Sequence, residues 1–162
     1  MNEPPRVYLE TSFISYLAAR PSRDIPTAQR QLSSSVWWSQ HRASYQLCVS
    51  PFVEQECRRG DATAVARRLA YLEEALMLPP RAEVSVLRDA LLLPDGPLPP
   101  RAATDALHIG TAAFYACDYL LTWNFTHIAN ARLRPILDNI VREQGYEPAT
   151  ICTPDELTGG FN

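Results

Sequence analysis

Arg6-Val7-Tyr8-Leu9-Glu10-Thr11-Ser12-Phe13-Ile14 decides the fold of this chain. Its first four residues alternate and are rich in strand formers, so Arg6 to Leu9 reads as a short β-strand. Thr11 and Ser12 then suit a helix start, and Phe13, Ile14, Tyr16 and Leu17 supply a helical apolar face. Ala19-Arg20-Pro21-Ser22 ends that helix. A strand that runs directly into a helix is the building unit of a parallel sheet. Glu10 stands at the junction, and a carboxylate at the end of a short apolar strand is costly to bury.

The same unit recurs outward from this stretch. Thr27 to about Arg42 is expected to be a helix with Ala28, Leu32, Val36 and Trp37 or Trp38 on its inner side. Trp37 and Trp38 are ~100° apart on a helix, so one is expected inside and the other on the rim. Tyr45 to Ser50 reads as a second strand. A short helix follows from Pro51 to about Arg58, with Pro51 at a first helical position. Gly60 breaks the chain, and Asp61 caps a helix through about Leu76. Met77 and Leu78 form a brief third strand. Glu83 to Leu92 is helical, and Pro94 to Pro99 is a turn-rich loop. Pro100 to about Ala116 is apolar on nearly every face, which marks a central, buried helix. Asp118 to Thr122 is a fourth strand, Arg132 to Gln144 a helix closed by Gly145, and Ala149 to Cys152 a last strand. Strands alternating with helices imply an α/β fold whose parallel sheet is covered on both faces.

Composition narrows the class. The 162 residues suit one domain with a sizeable core. No apolar run approaches the ~20 residues of a membrane span, and the first residues lack the features of a secretion signal. A cytoplasmic protein is the expectation. Cys48, Cys57, Cys117 and Cys152 form no C-x-x-C pair, so reduced, buried thiols are expected rather than a zinc knuckle. The net charge of −3 argues against nonspecific coating of nucleic acid. All 15 basic residues are Arg. Arg suits bidentate phosphate contacts, but the abundance of Ala and Pro beside it points first to codon bias.

Four positions carry the chemistry: Glu10, Glu56, Asp105 and Asn124. In parallel sheets, sites form beyond the carboxyl ends of the strands, where Glu10 and Asn124 fall. Asp105 interrupts an otherwise apolar helix, where an uncompensated charge is expensive. If these groups converge, their repulsion calls for a divalent cation. Magnesium and manganese prefer such oxygen ligands.

These motifs resemble those of the PIN-domain ribonucleases, in particular the VapC-type toxins of type II toxin–antitoxin systems. The resemblance runs from Val7-Tyr8-Leu9-Glu10-Thr11-Ser12, through Val49-Ser50, Glu56 and Gly60-Asp61, to Ala103-Thr104-Asp105-Ala106-Leu107-His108-Ile109. It ends on Asp118-Tyr119-Leu120-Leu121-Thr122-Trp123-Asn124-Phe125-Thr126-His127-Ile128-Ala129-Asn130. It implies a single PIN-like domain over residues 1–162, a three-layer α/β/α sandwich with a central, mainly parallel sheet. It implies Mg2+- or Mn2+-dependent hydrolysis of RNA, a small antitoxin partner and a homodimer. The family's acids fall on Glu10, where Asp is usual, on Glu56 in preference to Glu54, and on Asp105. Asn124 stands where a fourth acid is common. All four are expected to be catalytic and to bind metal, with Thr11 or Ser12 supporting the first acid.

Plainer roles stand beside these. Glu10 could cap the following helix, although Thr11 and Ser12 suit that task. Glu56 could be a solvated carboxylate, and Glu54 pairs with Arg58 four residues on. His108, three residues after Asp105, is expected to be a satisfied core residue outside the catalytic set. His127 and Asn130 shape a turn and a helix start. Two other functions compete: a PIN-like module that binds RNA or protein without cutting, and a small-molecule phosphohydrolase. The second lacks an Asp-x-Asp motif and a Gly-rich phosphate loop.

Overall fold

The computed structural model describes residues 2–158. Five strands form one all-parallel sheet: β1 (Arg6–Leu9), β2 (Gln46–Val49), β3 (Leu76–Met77), β4 (Tyr119–Leu121) and β5 (Thr150–Cys152). Their order is β3-β2-β1-β4-β5. β1 is central, with Tyr8 opposite Cys48 on one side and Leu120 on the other. Val7, Tyr8 and Leu9 have no exposed surface, as a strand covered on both faces demands.

The helices are α1 (Thr11–Ala18), α2 (Ile25–Gln40), α3 (Pro51–Cys57), α4 (Ala62–Leu72), α5 (Ala82–Leu91), α6 (Ala103–Phe114) and α7 (Arg134–Glu143). α1 packs against α2, α3 and α4, while α5 packs against α6 and α7. The fold is PIN-like, with helices flanking the sheet. Gly110 brings α5 and α6 close together: a Cβ there would lie 3.1 Å from Leu87 Cβ. The chain turns in opposite directions from β1, to β2 on one side and β4 on the other. The crevice at such a reversal lies beyond the carboxyl ends of β1 and β4.

Several local expectations are corrected. Glu10 itself is the N-cap of α1, accepting from the Ser12 N–H at 3.0 Å; Thr11 and Ser12 lie inside the helix. α2 starts two residues early because the Asp24 side chain caps it through Thr27. Leu32 and Val36 face outward, 65% and 38% exposed, and the buried residues are Ser34, Trp37 and Trp38. Both tryptophans are inside because α2 has neighbours on two sides. Trp37 meets Phe13 edge to face at 5.6 Å, and Trp38 meets Tyr71 of α4 at 5.1 Å. α4 stops at Leu72, which lets Leu76 reach its place beside Cys48. Residues 100–102 form a 3-10 turn before α6. α7 starts at Arg134, after Asn130 has accepted the backbone N–H groups of Leu133 and Arg134.

Asp61 caps α4 as expected, accepting from the Ala64 N–H. The four cysteines are free and buried. Among the described residues no helix is long and apolar enough to cross a membrane.

Candidate metal centre

Glu10 leaves the end of β1 pointing into the crevice, and only 3% of it is exposed. Three donors converge on one of its oxygens, Oε2. They are the Ser12 N–H at 3.0 Å, the Ser12 hydroxyl in a very short contact, and the Thr122 hydroxyl at 2.7 Å. Each hydroxyl in turn accepts from backbone beyond β4: Ser12 Oγ from the Trp123 N–H at 2.8 Å, Thr122 Oγ1 from the Asn124 N–H at 2.9 Å. Burial raises the Glu10 pKa; the positive charge of His108 and these hydrogen bonds pull the other way without cancelling it.

Glu56 projects from α3 toward the same place. Its Oε1 accepts from the Thr11 hydroxyl at 2.7 Å and from His108 Nε2 at 2.6 Å. Burial opposes ionisation here too, but His108 and Thr11 carry this carboxyl below its ordinary pKa. Ligand atoms of Glu10, Glu56 and His108 all lie within 4.8 Å of one another. That spacing is near what one cation with ~2.1 Å bonds can draw together.

His108 is fully buried on α6. Its Nδ1 meets Tyr8 Oη at 2.6 Å, and Tyr8 Oη meets Ser50 Oγ at 2.7 Å. Nε2–H donates to Glu56. A neutral imidazole accepts at Nδ1 from the Tyr8 hydroxyl, while a protonated one donates to the Tyr8 oxygen and Tyr8 turns its proton to Ser50. Burial lowers the His108 pKa. The Glu56 hydrogen bond and the charges of Glu10, Glu56 and Asp105 outweigh it, so the net shift is upward. With both ring nitrogens engaged, His108 holds Glu56 in place.

Asp105 sits one turn before His108, in the first turn of α6, where the helix dipole favours an anion. It lies outside the 4.8 Å group. Its Oδ2 accepts from His127 Nδ1 at 2.9 Å. Asn124 is engaged elsewhere: its Oδ1 accepts from the His127 N–H at 3.0 Å and closes the turn after β4. Glu54 points away and pairs with Arg58 at 2.6 Å.

One regularity unites the three acids. Each has one oxygen tied down by protein donors: Oε2 of Glu10, Oε1 of Glu56 and Oδ2 of Asp105. Among the described residues no hydrogen bond holds Glu10 Oε1, Glu56 Oε2 or Asp105 Oδ1. Carboxylates oriented this way, with hard oxygen donors, suit Mg2+ or Mn2+. Sequence reasoning set His108 aside and overlooked Thr122. The signal for the first was its i, i+3 spacing from Asp105; for the second, its place at the end of a strand beside β1.

No protein-family model matches the sequence, and no curated protein matches it. A solved structure does: a chain of VapBC2 from Rickettsia felis, crystallised bound to a DNA fragment from their promoter. The TM-score is 0.59 over 91% of this chain and 98% of that chain, at 13% identity. What the two chains share is their fold.

Proposed function

We propose that this protein is a divalent-metal-dependent ribonuclease that hydrolyses RNA phosphodiester bonds, acts in the cytoplasm as a homodimer, and is the toxin of a toxin–antitoxin pair. The observation that carries the reading is the set of three carboxylates, each with one oxygen tethered and one left over. Glu10, Glu56 and Asp105 are its metal ligands and catalytic residues. The fold it shares with a chain of the VapBC2 complex supports a small antitoxin partner. Bound Mg2+ or Mn2+ would supply an activated water and offset charge on the phosphate.

The chain's own residues prepare that chemistry. Ser12 and Thr122 keep Glu10 oriented and favour its ionised form against burial. Thr11 and His108 hold Glu56, and His127 holds Asp105. Asn124 contributes by fixing the turn that carries His127. Three carboxylates carry at most a formal charge of −3. One divalent ion nearly neutralises it, so a second ion arrives only with phosphate.

A second reading is favoured by the carboxamide of Asn124, which is spent on a turn where a fourth acid is common. On that reading the protein binds RNA or a partner without cutting. One experiment separates the two: incubate an RNA panel with the wild type in Mg2+, Mn2+ or EDTA, beside Asp105→Asn. Cleavage that needs the metal and falls on the order of a hundredfold in the variant supports the nuclease. Wild-type levels of cleavage in Asp105→Asn overturn it. Absence of Mn2+ uptake at millimolar concentration, by calorimetry, favours the binding module.

A further inference from the structure

An aromatic platform adjoins the acid cluster, and the proposed chemistry does not use it. Trp123 follows Thr122, and its backbone N–H donates to Ser12 Oγ, one hydrogen bond from Glu10. Its indole N–H donates to Ser34 Oγ at 2.8 Å, which fixes the ring. Phe125 meets that ring at 6.2 Å, tilted by 64°. Arg30 of α2 reaches across: its guanidinium carbon lies 5.0 Å from the Phe125 centroid and 5.7 Å from those of Tyr16 and Trp123. Arg30 Nη1 donates to the Tyr16 hydroxyl at 3.0 Å.

Two features set this cluster apart from ordinary packing. Phe125 remains 42% exposed with the guanidinium over its ring. Among the described residues, no carboxylate lies within ion-pairing distance of Arg30. A cavity of about 250 Å³ opens at this place. Gln29, Ser33 and Asp155 on its wall offer donors and acceptors to the edge of a flat ring, and Arg30 lines the same wall.

An exposed ring on a rigid base, beside a guanidinium that feels the Asp24 carboxylate only at a distance, matches what unpaired nucleotides need: a face for the base and a charge for the phosphate. We propose that Phe125, backed by Trp123 and Arg30, is a stacking subsite for one unpaired base of single-stranded RNA, with Arg30 meeting the adjoining phosphate. This rests on the ribonuclease reading and adds to it a place for one base.

The test is fluorescence anisotropy with a labelled single-stranded RNA decamer in Ca2+, its integrity checked on a gel. Phe125→Ala is expected to bind about tenfold more weakly, and Phe125→Trp to bind as the wild type does. The Phe125→Ala loss should vanish on a decamer of abasic riboses. Arg30→Ala should lower the slope of log affinity against log salt by about one. Mn2+ uptake by Phe125→Ala should equal that of the wild type. Unchanged binding in Phe125→Ala, or an equal loss on the abasic decamer, overturns the subsite and leaves the nuclease reading standing. Loss of a protein partner with RNA binding intact also overturns it, and assigns the platform to that partner. A wild type that binds no RNA sinks the ribonuclease reading itself.

Discussion

His108 Nε2 lies 2.6 Å from Glu56 Oε1, so a fully buried imidazole is wedged against an acid cluster. Protonated, it balances charge that metal would otherwise balance. In the metal-free protein His108 has a raised pKa, so the stability it contributes is fully present below its unfolded value of 6.5. That stability is lost as pH rises through the folded pKa. Glu10, also raised, has the same sign, starting from its unfolded value of 4.5. Glu56, lowered, has the opposite sign, and its contribution disappears only as acid protonates it. Urea unfolding in EDTA should therefore show stability declining as pH rises above about 6.5, through the raised His108 pKa. His108→Gln should flatten that decline; a slope unchanged in His108→Gln would show that another group titrates.

Thr122 and Ser12 are expected to act through Glu10 rather than on substrate. Thr122→Val preserves shape but removes a donor from Glu10 Oε2 and an acceptor from the Asn124 N–H. Mn2+ affinity by calorimetry should fall about 10–100-fold, the usual cost of losing a hydrogen bond that orients a ligand. Equal affinity in the variant would mean that Ser12 alone positions Glu10.

Asn124 gives a contrast between charge and capping. Asn124→Ala removes the acceptor for the His127 N–H and should cost about 1 kcal/mol in urea unfolding. Asn124→Asp keeps the acceptor, so stability should stay within about 0.5 kcal/mol of the wild type. The added negative charge should tighten Mn2+ binding. Weaker binding in Asn124→Asp would reveal a need for the amide itself.

Gly110 tests the frame that carries Asp105 and His108. Gly110→Val would press a branched side chain into Leu87 and the Val84 carbonyl. The expected cost is about 1–3 kcal/mol by thermal or urea unfolding. A neutral result would show that α5 is free to move off α6.

The strand-to-helix rhythm was legible in the sequence because burial on both faces leaves an uninterrupted apolar run such as Val7-Tyr8-Leu9. The acids were legible for the opposite reason, since Glu10 and Asp105 interrupt such runs. Their partners were not. The His108–Glu56 contact joins α6 to α3, and Thr122 reaches Glu10 only because β4 pairs beside β1. Helix periodicity also failed on α2. Leu32 and Val36 have the spacing of an inner face, but Trp37 and Trp38 are large enough to turn the helix toward their own contacts. Capping and metal binding by Glu10 are compatible, because the cap uses Oε2 alone.

The order of the sheet sets when the acid cluster can exist. The middle strand emerges first in synthesis, yet one of its neighbours is the fourth strand to be made. Glu10 therefore waits for more than a hundred residues before Thr122 arrives to brace it. A ribosome-bound chain that ends short of that point holds an acid without its brace, so whatever chemistry this cluster performs is deferred until the fourth strand has been made.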